Sequence, residues 1–251
     1  MIVLRSLAFN VIFYAVLIGM MIIGLPVLFA GPARIKAYAR SWARFSLWLL
    51  AVVCDVQTEI RGAKHLAAGG AIIAAKHQSF LDIIALLSVT PRFVFVLKRE
   101  LMLIPLFGWF LKKSGMIPID RSRGRAVMAD LNRHVREALA REEQLIIFPE
   151  GTRRAPGAEP AYKSGVSHLY AASEAPCCPV ALNSGLFWPR RSFLRKPGRL
   201  VVEVLSAIPP GLERATFLAE LEQRIETATN QLMRQAEEPG PAATSAIVRQ
   251  P

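Results

Sequence analysis

An α/β domain that follows a hydrophobic helix or helical hairpin in a membrane is the fold that the sequence predicts. From Val56 onward, short apolar runs alternate with amphipathic segments, as they do where strands are separated by helices. Before that point, residues 7–30 contain no charged side chain, and a helix of that length crosses a hydrocarbon core of about 30 Å. The 251 residues are enough for one sizeable domain with such an attachment.

Composition and charge exclude several other classes of protein. Lysine and arginine number 31 against 19 aspartates and glutamates, a net charge of +12, while 53% of the residues are hydrophobic. A disordered basic tail would be poorer in apolar residues, and a polytopic transporter would need several apolar runs of about 20 residues. A folded basic domain on a membrane remains, and its charge suits anionic lipid head groups, a phosphorylated substrate or nucleic acid.

The cysteines indicate a reducing compartment. There are three, Cys54, Cys177 and Cys178, two of them are adjacent, and no C-x-x-C pair is present. This pattern fits neither a disulfide framework nor a zinc site. Reduced thiols in the cytosol, acting as small apolar residues, are the simplest interpretation.

The N-terminal apolar run predicts a retained membrane segment. It is longer than the apolar region of about 7–15 residues in a signal peptide, and no clear A-x-A cleavage site follows it. Four bases and no acid lie between residues 34 and 44, a pattern typical of the cytoplasmic side. The next apolar stretch, residues 45–56, is too short to span alone. Two geometries stay open: a single span with its N-terminus outside, or a helical hairpin in one leaflet with both ends cytoplasmic.

Local patterns after residue 56 predict the elements of the domain in order. Residues 70–76 form a largely apolar run typical of a buried strand, and residues 79–89 form a helix. Residues 93–97 are aromatic and β-branched, as strands are, and residues 115–119 are a shorter strand candidate.

The second half of the domain continues this alternation. Strands are predicted at 144–148, 179–182 and 200–205, and helices at 124–141, 164–172 and 215–235. The last helix carries an apolar stripe through Leu218, Leu221, Ile225 and Leu232. The chain thus divides into a membrane-embedding segment (1–57), an α/β domain (58–236) and a loose tail (237–251).

A histidine followed five residues later by an aspartate is the first candidate for chemistry. On one continuous helix, His77 and Asp82 would diverge by about 140°. They meet if His77 lies in the turn after the strand and Asp82 in the first turns of the helix. Asp82 then bonds one imidazole nitrogen and leaves the other as a general base. The alternative is a capping histidine beside an exposed acid.

The second candidate is the sequence FPEGTRR at 148–154, directly after a predicted strand. Ligands of α/β proteins bind at the carboxyl ends of strands. Gly151 permits a tight turn, and Thr152, Arg153 and backbone amides can hold a phosphate. Glu150 can orient the arginine or stiffen the loop. The alternative is a solvated surface turn.

Two further basic sites are less specific. Lys98 and Arg121 each follow a predicted strand, so both can point into the same cleft, although surface bases are common. Residues 187–196 interleave three aromatic and four basic residues. That loop is a candidate second membrane contact, a nucleic-acid contact, or simply a basic loop.

These blocks together resemble the glycerolipid acyltransferase family, most closely its bacterial 1-acyl-sn-glycerol-3-phosphate acyltransferases. The likeness extends over about residues 56–210. It consists of HQSFLD at 77–82, LKREL at 97–101 with PLFGW at 105–109, IDR at 119–121, and FPEGTR at 148–153. One mild departure is Pro118 inside a strand, which suggests an edge strand or a bulge.

The resemblance implies one acyltransferase domain in which helices flank a mixed central sheet. It also implies transfer of an acyl chain from acyl-CoA or acyl carrier protein to the free hydroxyl of 1-acylglycerol 3-phosphate, which gives phosphatidate. By this likeness His77 is the base and Asp82 orients it, and no metal or other cofactor is required. The implied acceptor-binding residues are Lys98, Arg121, Glu150, Gly151, Thr152 and Arg153.

Two alternative functions remain beside this one. The first keeps the chemistry but changes the acceptor to lyso-ornithine lipid or another lysolipid. The second is a non-enzymatic basic protein that binds membranes or nucleic acid, but the ordered motifs argue against it, and no nucleic-acid partner is expected. The expected location is the inner membrane, with the active domain in contact with membrane lipids and facing the cytoplasm.

Overall fold

The computed structural model describes residues 1–66, 69–120 and 128–237. Within them the strands are β1 Val56–Arg61, β2 Ala71–Ala75, β3 Phe93–Lys98, β4 Ile117–Ile119, β5 Gln144–Ile147, β6 Cys177–Leu182 and β7 Gly198–Val204. The α-helices are α1 Ile2–Ile23, α2 Pro32–Cys54, α3 Leu81–Val89, α4 Phe107–Lys113, α5 Met128–Ala140, α6 Gly165–Ser173 and α7 Arg214–Glu237.

The described strands form one mixed sheet, as predicted, in the order β1-β7-β6-β2-β5-β3-β4. Neighbouring strands are parallel except β6 and β7, which are antiparallel. Because β2, β5, β3 and β4 are adjacent and parallel, their carboxyl ends lie along the same edge of the sheet. Pro118 lies in β4, at the end of the strand order, where its missing N–H costs no hydrogen bond to a further strand.

Helices cover both faces of the sheet, which explains the apolar strands. Every residue of β2 is buried, and successive side chains point to opposite faces. Ile73 and Ala75 belong to a core that also contains buried residues of α1, α2 and α3. Ile72 and Ala74 belong to a second core with α5, α6 and α7. A strand buried on both faces therefore needs an unbroken apolar run rather than an alternating one.

The predicted strands and helices are present within a few residues of their expected bounds, and two elements were not predicted. The strand β1 has the sequence VQTEIR, in which only Val56 is buried. A half-exposed strand at the end of a sheet carries no strong apolar signal. The short helix α4 was also missed. The predicted tail beyond residue 237 and the first residues of the predicted helix 124–141 lie outside the described residues.

The N-terminal helices form an antiparallel hairpin that lies along the domain. Among the described helices, α1 alone is long and apolar enough to cross a membrane. The hydroxyl of Tyr38, early in α2, donates to the Met20 carbonyl, late in α1, at 2.8 Å. At the other end, the thiol of Cys54 approaches the Arg5 carbonyl at 3.7 Å. The start of α1 and the end of α2 are therefore neighbours.

The N-terminal half of α1 docks on the loop of residues 187–196. The Arg195 N–H donates to the Ser6 hydroxyl at 2.8 Å, and its guanidinium donates to the Asn10 side chain at 2.7 Å. The same guanidinium lies 3.7 Å from the centre of the Trp188 ring, and burial lowers the pKa of Arg195 to about 10. Phe187 and Trp188 are buried. These two rings and Arg195 therefore pack inside the protein, so the membrane contact that was one of three interpretations of this loop does not apply to them.

Candidate active site

The turn between β2 and α3 brings His77 and Asp82 together. The strand ends at Ala75 and the helix begins at Leu81, so the backbone reverses direction between the two side chains. His77 Nδ1 lies 2.9 Å from Asp82 Oδ2. This is the strand-to-helix arrangement that the spacing requires if the pair is to meet. A capping histidine beside an exposed acid does not describe it, because Asp82 is fully buried.

Asp82 is held by four hydrogen-bond donors. Its Oδ2 accepts the His77 ring and the backbone N–H groups of Gln78 at 2.7 Å and Ser79 at 2.9 Å. Its Oδ1 accepts the hydroxyl of Ser184. A buried carboxylate needs such donors to compensate for the lost water. The acid is therefore fixed in one orientation before any substrate binds.

The imidazole of His77 is held at its edge by Asp82 and on its ring face by Phe148. The Phe148 ring stacks on it, with 3.9 Å between centroids and 17° between planes. Because Nδ1 faces the carboxylate, a neutral imidazole here is the tautomer with its proton on Nδ1 and its lone pair on Nε2. The His77 side chain is 13% exposed. The arrangement has the features of a general base with one oriented, accessible nitrogen.

The loop 148–154 clamps the main chain of His77. A Glu150 carboxylate oxygen accepts the His77 N–H at 3.2 Å, and the Arg154 N–H donates to the His77 carbonyl at 2.8 Å. Gly151 adopts a left-handed φ of 67°, and its N–H closes a turn on the Phe148 carbonyl at 2.9 Å. The segment between Glu150 and Arg154 is therefore anchored beside the base at both ends.

Glu150 points into the protein, where it joins a buried ion cluster. Its second oxygen accepts the Lys76 ammonium at 2.9 Å, and the same ammonium donates to Glu226 of α7 at 2.7 Å. The Tyr162 hydroxyl also donates to Glu226, at 2.9 Å. Burial, with the Glu226 charge next, raises the pKa of Tyr162, so the phenol stays a donor. Both Glu150 oxygens are thus engaged inside the protein, which matches the loop-stiffening interpretation of this residue.

The candidate phosphate-binding residues differ in their exposure to solvent. Thr152 is exposed and Arg153 is half-buried, and the Arg153 carbonyl accepts the Arg190 guanidinium at 3.1 Å. Lys98 ends β3 and pairs with Glu100 at 2.8 Å, with 58% and 60% of their side chains exposed. Only β5 separates β3 from β2, so the ends of these strands are about 10 Å apart. Arg121 lies outside the described residues.

A cleft of about 300 Å³ opens beside the same loop. Its walls are mainly apolar side chains of β3, β5, α5 and α6, and they also include Phe148, Gly151, Asp120 and Lys163. The Lys163 N–H donates to the Pro149 carbonyl at 3.0 Å, and its side chain would lie 3.4 Å from a Cβ at Gly151. Lys163 is therefore a cation beside the loop 148–154. The sequence did not reveal it, because an isolated lysine before a helix is not a recognisable sign of a binding site.

Lys76 is a second missed residue, but the sequence contained a clue to it. It ends an otherwise apolar buried run, and a buried ammonium requires anionic partners. The sequence does not reveal which acids these are. Ser184 gave no clue at all, because it reaches Asp82 from 102 residues away.

Ser79, Cys177 and Cys178 are the other side chains near the site that could in principle act as nucleophiles, but each is engaged or buried. The Ser79 hydroxyl donates to the Trp188 carbonyl at 2.6 Å and accepts the Leu81 N–H at 3.1 Å. Cys177 and Cys178 are buried, and burial raises the pKa of Cys177. A thiol that stays protonated is a poor nucleophile, so His77 remains the group best suited to start a reaction here.

Comparison with known proteins places this site in a family. Residues 57–183 match the acyltransferase family model. A 1-acyl-sn-glycerol-3-phosphate acyltransferase of Pseudomonas aeruginosa is 33% identical over 201 residues, 80% of this chain and 78% of that protein. The 1-acyl-sn-glycerol-3-phosphate acyltransferase alpha of Homo sapiens is 28% identical over 169 residues, 66% of this chain and 60% of that protein.

A solved structure shares the fold. It is the crystal structure of the 1-acyl-sn-glycerophosphate acyltransferase from Thermotoga maritima, which aligns with a TM-score of 0.79 at 19% identity. The alignment covers 93% of this chain and 98% of that one. The family match extends over His77, Asp82 and the loop 148–154. The resemblance seen in the motifs is thus confirmed, and the chain belongs to the acyltransferase family.

Proposed function

We propose that this protein transfers an acyl chain from a thioester to the free hydroxyl of 1-acylglycerol 3-phosphate, giving phosphatidate. The observation that carries the proposal is the His77–Asp82 pair, held at 2.9 Å and clamped to the loop 148–154 by both main-chain groups of His77. Family membership and the names of the relatives support the choice of reaction and acceptor.

His77 acts as a general base in this reaction. Its Nε2 takes the proton of the acceptor hydroxyl as the oxygen attacks the thioester carbonyl. An oxygen–carbon bond forms, the carbon–sulfur bond breaks, and the imidazolium returns the proton to the leaving thiolate. Asp82 holds the ring and stabilises the imidazolium. The substrate hydroxyl is the nucleophile, so no acyl-enzyme is formed.

The acceptor phosphate binds among the cations at the carboxyl edge of the sheet. Thr152 and Arg153 lie between Glu150 and Arg154, the two loop residues that bond the main chain of His77. Lys163 adds a further positive charge beside Gly151. A guanidinium binds phosphate through two parallel hydrogen bonds. Lys98 is a further cation at this edge, and the resemblance of the motifs assigns Arg121, which lies outside the described residues, to the same acceptor. Gly151 provides the turn, and Glu150 acts through its hold on the loop.

The acyl donor is acyl-CoA or acyl carrier protein, and it acts as a co-substrate. The chemistry described needs only the base, its acid and a bound phosphate. We therefore expect no metal or other cofactor to be required.

The hairpin of α1 and α2 lies in the cytoplasmic leaflet, with the active domain facing the cytoplasm. The contacts of Ser6 and Asn10 with Arg195 support this geometry. A single span would carry the first residues of α1 to the far side of the membrane, away from the loop on which they dock. Among the basic residues of α2, Arg34 and Arg44 are exposed and suit the cytoplasmic surface, whereas Lys36 is buried and paired with Glu143.

An acyl-transfer assay in membranes tests the reaction. Lysophosphatidate and lyso-ornithine lipid are each offered with acyl-CoA and with acyl carrier protein, to the wild type, to His77→Ala and to His168→Ala. His168 bonds Arg214 at 2.7 Å, outside the site, so its variant is the matched control. We expect phosphatidate from the wild type and the control only. Transfer to no lysolipid above the His77→Ala background contradicts the proposal, and transfer to lyso-ornithine lipid alone contradicts the choice of acceptor.

A further inference from the structure

In the described part of the α/β domain few large apolar side chains are exposed, and most of those lie in one segment. After the hairpin, the described residues with such exposure are Leu103, Ile104, Trp109 and Phe193. Leu103 is 79% exposed, Trp109 56% and Ile104 44%. Soluble surfaces rarely gather side chains of this size without a partner. We call residues 99–113 the apolar tip segment.

The backbone of the apolar tip segment is built to hold these side chains outward. A short 3-10 helix at Arg99–Leu103 leads into α4, and Leu106 between them has a left-handed φ of 62°. Gly108 packs against the Met102 carbonyl so closely that a Cβ would collide with it. A strained residue and an obligatory glycine are kept in place only by tight surrounding structure. The exposure is therefore a fixed property of the fold.

The apolar tip segment continues the exposed surface of the hairpin. The rings of Phe110 in α4 and Tyr38 in α2 stack with 6.5 Å between centroids. The helix α4 also contacts the turn between α1 and α2. In that turn Phe29 is 88% exposed, and Ile23 just before it is 76% exposed. One apolar surface thus runs from the hairpin turn onto the α/β domain.

The charges around the segment favour an anionic surface. Residues 98–113 contain four bases and one acid. Lys98 and Arg99 are paired with Glu100 and Asp120. No acid in the described part of the chain forms an ion pair with Lys112 or Lys113, and both are exposed at the end of α4. Apolar side chains rimmed by unpaired lysines fit the boundary between acyl chains and anionic head groups.

We propose that the apolar tip segment inserts into an anionic phospholipid bilayer as a second membrane contact, continuous with the hairpin. Leu103, Ile104 and Trp109 enter the acyl-chain boundary, and Lys112 and Lys113 bind the head groups. Lys98, the last residue of β3, directly precedes the segment. Insertion of the segment therefore places the carboxyl edge of the sheet at the depth of the head groups. The contact does not depend on which reaction the enzyme performs.

Site-specific fluorescence in vesicles tests this contact on the full-length protein. The native thiols are buried, so an environment-sensitive label reacts selectively with Leu103→Cys or, in a second variant, with Trp109→Cys. The matched control is Gln223→Cys on α7, an exposed position on the helices of the opposite face. Insertion to a depth of about 5–10 Å predicts that the emission of a label at position 103 or 109 shifts to the blue and is quenched by brominated acyl chains. A label at position 223 should show neither effect.

The lipid composition separates the alternatives. Quenching should increase when anionic lipid replaces zwitterionic lipid, and Lys112→Gln with Lys113→Gln should weaken that increase. Quenching at 103 and 109 no greater than at 223 overturns the proposal. A blue shift without bromolipid quenching also overturns it, because it points to a second copy of the chain covering the segment. The measurement uses no substrate, so its failure is distinct from failure of the proposed reaction.

Discussion

The turn after β2 and the end of β3 lie at the same edge of the sheet, yet their polar side chains are held very differently. Asp82 is 0% exposed and accepts four hydrogen bonds, whereas Lys98 is 58% exposed and has one acid beside it. The His77–Asp82 pair is thus preorganised, while Lys98 remains open to solvent. In the proposed reaction a lipid phosphate has to enter from outside and be released again, whereas a pair that transfers a proton gains from staying in one position.

The difference has energetic consequences. A buried, fully satisfied network is costly to break, because each orphaned group loses its partners without regaining water. An exposed ion pair contributes little to stability, since water and salt screen it. Substitutions after β2 should therefore reduce kcat or stability, and substitutions among the exposed cations should raise KM.

Asp82→Asn should have the largest effect. The amide retains an oxygen for the Gln78 and Ser79 N–H groups but loses the charge that orients and stabilises the histidine. We expect kcat to fall about 10³–10⁴-fold with little change in KM, measured as initial rates of phosphatidate formation. A fall smaller than tenfold in a folded variant would show that His77 does not depend on this acid.

Lys76→Met should be next, and its effect should be on stability. It leaves the Glu150 and Glu226 carboxylates facing each other in a buried site, which costs about 3–5 kcal/mol. The thermal midpoint in detergent should fall by roughly 6–20 °C. Glu226→Gln is the matched control, because Lys76 then keeps Glu150 as its partner, and its loss should be clearly smaller. Equal losses in the two variants would argue against a cluster centred on the lysine.

Arg153→Ala should act mainly on acceptor binding. Loss of a charge-assisted hydrogen bond worth about 1.5–3 kcal/mol should raise KM for lysophosphatidate about 10–100-fold. KM for the acyl donor should stay near its wild-type value. Arg133→Ala serves as the control, because its exposed pairs with Asp130 and Glu137 lie on α5. An unchanged acceptor KM in Arg153→Ala would remove this residue from the phosphate site.

Lys98→Ala should have the smallest effect. Its exposed pair with Glu100 is worth less than about 1 kcal/mol, so the thermal midpoint should stay within error. The acceptor KM should rise about twofold to fivefold. A large loss of stability or of kcat would mean that Lys98 is held far more tightly than its exposure indicates. The contrast between a buried pair after β2 and an exposed cation at the end of β3 would then be wrong.

The sequence predicted those parts of the site that depend on neighbouring residues. A strand, a turn and a helix around residues 70–89 indicated how His77 and Asp82 could meet, with a capping histidine beside an exposed acid as the alternative. In the same way, a strand ending at Pro149 predicted the position of the 148–154 loop. Both features are local. Short runs of apolar residues are enough to indicate which segments are strands and which are helices.

The contacts that complete the site are long-range, and the sequence could not predict them. Ser184, Glu226 and Tyr162 come from a turn, a helix and a loop that only tertiary packing brings to the β2 edge. Trp188 lies in a loop that is aromatic and basic, and contact with a membrane was one of three interpretations of that loop. Composition could not distinguish a ring that contacts lipid from a ring that docks α1.

The docking of α1 on Arg195 and Trp188 means that the hairpin is not a detachable anchor. Phe9 and Phe13 are fully or almost fully buried within the core, and the Trp188 carbonyl accepts the hydroxyl of Ser79 in the turn between β2 and α3. Deleting α1 would expose these rings and remove one wall of the fold. Membrane affinity and folding are therefore thermodynamically coupled in this chain. Any lineage that exchanged its anchor for another would have to rebuild part of the interior at the same time.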